Sequence, residues 1–116
     1  MIVIPGRAIP KARMTQRGKW NKRARRTLAY QQVVADVLRL CCKERFAGPV
    51  RLTGRFYFAN RKHGDLANLV KLQEDALQYA GIIRNDRQIL QYGKGTGIYY
   101  CTDPSEERVE LEIAPL

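Results

Sequence analysis

At 116 residues the chain is long enough for one hydrophobic core and too short for two, so a single domain over residues 1–116 is expected. Its 21 Lys and Arg against 11 Asp and Glu leave a formal charge of +10, which points to a polyanionic partner, nucleic acid ahead of an anionic membrane. No apolar run approaches the roughly 20 residues that span a bilayer and no secretory signal opens the chain, which makes a soluble, cytoplasmic protein the expectation.

The charge is unevenly placed. Residues 1–62 carry 16 basic and 2 acidic side chains, a net of +14, and residues 63–116 carry 5 and 9, a net of −4. The three cysteines, Cys41, Cys42 and Cys101, have no metal-ligand spacing and share the chain with a single histidine, His63. They read as packed, reduced thiols rather than as a zinc site or a disulfide.

In chain order, Ile2, Val3 and Ile4 form a short strand ended by Pro5 and Gly6. A basic arm over about 7–26 follows, with nine cations and no acid. Within it Lys11, Arg13, Arg17, Lys19, Lys22, Arg23, Arg25 and Arg26 are expected to lie along nucleic-acid phosphates. From about Arg25 to Arg45 the apolar residues Tyr30, Val33, Val34, Val37 and Cys41 recur at helical spacing, and Gly48 with Pro49 stops the helix. Val50, Leu52, Phe56 and Phe58 then alternate with Arg51, Thr53, Arg55 and Tyr57, the period of a strand with one buried face, ending near Asn60.

A second helix is predicted to start after Asp65 as N-cap and to end near Ala80, with Gly81 in the left-handed position beyond it. Its wheel places Leu66, Leu69, Val70, Ala76, Leu77 and Ala80 on one arc, and Ala67, Asn68, Lys71, Glu74, Asp75 and Gln78 on an opposite, available arc. Gln88–Tyr92 and Gly95–Cys101 look strand-like. A turn at Asp103, Pro104 and Ser105 leads to alternating Val109, Leu111 and Ile113. The order is β-α-β-α-β-β, with one strand more if both middle stretches form. Two helices over one face of a mixed sheet, an α+β fold, bury these patterns most simply.

The stretch NRKHGDLANLVKLQEDALQYAGIIRNDRQIL, Asn60 to Leu90, carries a resemblance. A basic loop (Arg61, Lys62, His63), a helix start at Asp65, Leu66, Ala67 and Asn68, a lysine one turn on (Lys71), the triplet Asp75, Ala76 and Leu77, an apolar turn at Gly81 and Ile82, and then Asn85 with Asp86 resemble the RusA-type Holliday junction resolvases. GRAIPKARMTQRGKW resembles the arm of many phage-borne members, and RVELEI resembles their final strand.

The resemblance implies a homodimeric crossover junction endodeoxyribonuclease of recombination and repair, in a bacterial cell and phage- or prophage-encoded. It would bind four-way or branched DNA and hydrolyse phosphodiesters with Mg²⁺ or Mn²⁺. Asp65, Lys71 and Asp86 would be catalytic, Asp65 and Asp86 metal ligands, Asn68 and Asn85 their supports, and Arg61, Lys62 and His63 further DNA contacts. One departure stands out. Ala67 occupies the position of the family's middle aspartate, and a methyl group binds no metal, so weak metal binding and impaired cleavage are expected. Glu74 and Asp75, about two turns away, are not expected to substitute. A non-catalytic junction-binding protein of the same fold and a basic RNA-binding protein are the alternatives. His63 also reads as a plain surface residue, Asp103, Glu106 and Glu107 as a solvated turn, and Tyr99 and Tyr100 as ordinary strand residues.

Overall fold

The computed structural model describes residues 1–12 and 22–116. They form one α+β domain, with β1 (Ile2–Pro5), α1 (Lys22–Cys41), β2 (Val50–Phe58), α2 (Leu66–Tyr79), β3 (Ile89–Tyr92), β4 (Gly97–Tyr100) and β5 (Arg108–Pro115). Both middle strands form, so the longer of the two expected orders holds. The sheet runs β1-β5-β2-β3, with β4 also on β2. It is mixed: β5 pairs antiparallel with β1 and β2, whereas β3 and β4 pair parallel with the first and second halves of β2.

The core lies between the helices and one sheet face. Ile4, Leu52, Phe56, Phe58, Val109 and Leu111 from the strands meet Val34, Leu38, Leu69, Leu72 and Leu77 from the helices. The period of β2 is as expected except at Thr53, which is buried. Residues 93–96 fold back over this part of the strand: Gly93 N donates to Leu52 O, and Gly54 N to Thr96 Oγ1.

Three boundaries differ from expectation. Helix α1 starts at Lys22, so Lys22, Arg23, Arg25 and Arg26 lie on its first turns and not on an extended arm. It stops at Cys41, well before Gly48, because Phe46 leaves to pair with the Ile82–Ile83 segment. The expected packing of the cysteines holds only in part, since Cys41 at the helix end is exposed; Cys42 and Cys101 are half-buried, and all three are free thiols. Residues 6–12, the start of the expected arm, are held in place: Gly6 N donates to Glu107 O and Lys11 N to Asn68 O. Arg13, Arg17 and Lys19 lie outside the described residues. Among the described residues no helix is long and apolar enough to cross a membrane.

Candidate functional site

Helix α2 begins as its sequence dictates. Asp65 is the N-cap in an extended conformation, and its carboxylate accepts from Asn68 N at 2.8 Å and Asn68 Nδ2 at 3.2 Å. That satisfies one of the orphan amides of the first turn, and the Asn68 side chain bonds the same carboxylate. At the far end Gly81 adopts φ +77°, a conformation open to glycine at little cost, and turns the chain out of the helix.

The next residues bring Asp86 back. Ile82 and Ile83 bury themselves in the core, and a short 3-10 turn, Asp86–Gln88, then carries Asp86 over the polar side of α2. Its backbone amide takes a bond to Gln78 Oε1, and its carboxylate receives Lys71 Nζ at 2.8 Å. A helix about 20 Å long separates Asp65 from Gly81 in space, yet the fold-back lets one chain unite Lys71 with Asp86. Asn85, expected as a support, precedes Asp86 as the N-cap of this turn. It accepts from Arg87 N, while Gln88 accepts from Asn85 N and donates to Phe46 O and Gly48 O.

Lysine dominates the electrostatics here. Lys71 also lies 3.5 Å from Asp75, whose other oxygen is 3.0 Å from Lys11 Nζ, giving the charge chain Lys11–Asp75–Lys71–Asp86. The bond to Asp86 raises the Lys71 ammonium above its ordinary value, and the same contact lowers the Asp86 carboxyl. Glu74 was expected on the open arc but is buried, and the Tyr92 hydroxyl at the end of β3 donates to it at 2.5 Å. Burial, then that bond, push the Tyr92 phenol up to about 12.

A divalent cation requires several oxygen donors converging on one point. Among the described residues no three His, Cys, Asp or Glu side chains are grouped to hold one. Ala67 is an exposed methyl group in the first turn of α2, Asp86 is held by Lys71, and Asp65 is bound to Asn68. These residues do not make a complete metal site as they stand.

The basic loop is more ordered than its composition indicates. His63 stacks on Phe58 with ring centroids 4.6 Å apart, and its Nδ1 lies 2.8 Å from Gly64 O. A carbonyl only accepts, so Nδ1 carries a proton, and in the neutral ring Nε2 accepts from the Tyr100 hydroxyl at 2.7 Å. His63 is thus a packed residue, not a plain surface one. Tyr100 is a strand residue as expected, and it also carries the Arg61 guanidinium 4.6 Å over its ring. Glu107 is no solvated turn residue: it is buried, paired with Arg7 and accepting from Ala59 N at 3.0 Å.

The sequence pattern assigned no site role to Gln78, Gln88, Tyr92 or Tyr100. Only Gln88 carried a readable signal, since Asn85 and Gln88 stand at capping-box spacing.

A basic α+β domain that sets a lysine and aspartates on one helix flank, beside a cation-rich loop, has the makings of a phosphodiester-processing, nucleic-acid-binding fold. Residues 5–114 of the 116 match the sequence model of the family described as endodeoxyribonuclease RusA. The chain belongs to the RusA endodeoxyribonuclease family. A search of curated proteins finds no match.

Proposed function

We propose that this protein binds four-way DNA junctions as a homodimer on a resolvase scaffold, and that its own phosphodiester hydrolysis is strongly impaired. The observation that carries the second half is the pairing of Lys71 with Asp86 and Asp75 in a site whose remaining ligand position, 67, is a methyl group. In the active arrangement that family membership implies, Asp65 and Asp86 would hold a divalent cation, Mg²⁺ or Mn²⁺, that activates water and neutralises the phosphate. Lys71 would face the scissile phosphate, with Asn68 orienting Asp65 and the Asn85 cap orienting Asp86. With two aspartates of three, cation binding is weak and turnover slow.

The cations of α1's first turns and of Arg61 and Lys62 supply phosphate contacts, which give affinity without sequence. Support for the dimer comes from symmetry: paired nicks on opposed strands call for two identical sites related by a two-fold axis. The location expected for such a protein is the bacterial cytoplasm, encoded by a phage or prophage.

A mobile four-way junction and a linear duplex of the same sequence, incubated with the protein in Mg²⁺ or Mn²⁺, test this reading. Tight, junction-preferring binding with nicking near background is expected. Efficient paired cleavage would overturn the impairment, and equal affinity for duplex would overturn the junction preference. Light scattering near twice the 13.3 kDa chain mass is expected; a monomer at micromolar concentration, with junction bound one chain at a time, would remove the dimer.

A further inference from the structure

A cleft of about 640 Å³ opens on the side of Asp65 and Asn68 away from Lys71 and Asp86, neither of which lines it. One wall is the segment 7–12, another the first turns of α1, and the third the loop 62–65. These walls are fixed to one another. Thr27 Oγ1 donates to Pro10 O at 3.3 Å, Lys11 N donates to Asn68 O, and a Cβ at Gly64 would lie 2.6 Å from Pro10 Cγ. Only glycine at 64 lets the loop approach that closely.

The lining has two chemistries. Ala8, Ile9, Pro10 and Ala12 form an apolar stretch, Ala8 buried and the others half-buried. Around it stand Arg23, Arg26 and Lys62, which make no ion pair among the described residues, in contrast to Arg7 on Glu107 and Lys11 on Asp75. Asp65 is the one acid among the described residues of the lining. Cations lining an open cleft with a single acid among the described lining residues favour an anion, and a duplex backbone tracking the surface would leave the apolar stretch unused. A single nucleotide uses both, with phosphate on cations and sugar and base on apolar surface. The volume suits it, within the range of about 300–1,000 Å³ that holds compact ligands. Unstacking a base costs least where stacking is already interrupted, as at a branch point.

We infer that this cleft is a subsite for one unstacked nucleotide of a branched DNA strand, its phosphate between Arg23, Arg26 and Lys62 and its base and sugar against Ala8, Ile9 and Pro10. The inference rests on the junction-binding reading above.

The test uses four-way junctions carrying 2-aminopurine at each branch-point position in turn and a dye on a distal arm, titrated with the full chain in EDTA. Dye anisotropy reports binding, and 2-aminopurine emission reports unstacking. Saturating protein should raise emission several-fold at one branch-point position. Ile9→Glu, and separately the pair Arg26→Ala with Lys62→Ala, should abolish that rise while weakening binding no more than about tenfold, each variant being checked for an unchanged circular dichroism spectrum. A rise in anisotropy without change in emission at any position would overturn the subsite and leave junction binding standing. An emission rise that persists in both variants would also overturn it, by placing the unstacking elsewhere. No anisotropy change at all would overturn both readings.

Discussion

The cleft and the flank of α2 are built from the same residue types and treat charge in opposite ways. In the cleft Arg23, Arg26 and Lys62 converge with one acid among them. Along the flank, Lys11, Asp75, Lys71 and Asp86 alternate and neutralise one another. On the proposed reading the difference divides the tasks: the unpaired cations would supply affinity for phosphate, and the compensated flank would lack the excess negative charge that gathers a divalent cation. A phosphate meeting this flank faces little repulsion, so junction affinity should not depend on divalent metal.

The sharpest way to break the contrast is to add an acid to the flank. Ala67→Asp should raise Mg²⁺-dependent nicking of a junction by on the order of 10²-fold or more, the scale of effect of a single electrostatic stabiliser at a reacting phosphate. The same change in an Asp65→Asn or Asp86→Asn background should give no gain, which single-turnover cleavage on denaturing gels would read. An inert Ala67→Asp that still binds junctions in Mg²⁺ would show that the missing carboxylate is not what limits cleavage.

Removing cations from the α1 side attacks the other half. Arg23, Arg25 and Arg26 replaced together by alanine should weaken junction binding roughly 10- to 100-fold near 50 mM salt and flatten the log–log salt dependence by up to about 3, close to one unit per lost phosphate contact. Anisotropy titrations across a salt series give both numbers. An unchanged slope would move the interface off α1.

A smaller effect sharpens the idea of self-neutralisation. Lys71→Ala leaves Asp86 without its partner and should weaken binding several-fold. Asp86→Asn frees Lys71 and should tighten it a few-fold, and the double variant should return close to the parent. Both partners are substantially exposed, so thermal stability should hardly move in any of the three. Additive effects in this cycle would show that the pair is not coupled.

Least affected in function, but visible in stability, is Tyr92→Phe, which leaves the buried Glu74 carboxylate without its donor. A loss of about 1–3 kcal/mol is expected, the range for orphaning a buried polar group. The pH dependence follows from the raised phenol. Its contribution is fully present below the ordinary tyrosine value of 10.0 and is lost as pH rises toward about 12. Thermal melts of the parent should therefore fall across that window, and those of Tyr92→Phe should fall less steeply.

Much of this protein was legible in one dimension because local rules set it. The β2 alternation, the Asp65 cap and the Gly81 exit each depend on a few adjacent residues whose period or backbone preference has one outcome. The same holds for the motif from Asp65 to Asp86, whose residue types and spacing marked the family. Contacts between distant segments were not legible. That Asp86 lands on Lys71 depends on Ile82 and Ile83 burying in the core and on Gln88 gripping the 46–48 loop. That His63 is packed depends on Phe58 and Tyr100 meeting it from two strands. That Glu74 has a hydrogen-bond donor depends on Tyr92, at the end of β3, reaching it from the sheet. Period and propensity report only which face of its own element a side chain occupies. What covers that face is decided by the sheet, whose pairings join residues tens of positions apart, and so the opposed charge treatment of cleft and flank came into view only once the chain was folded.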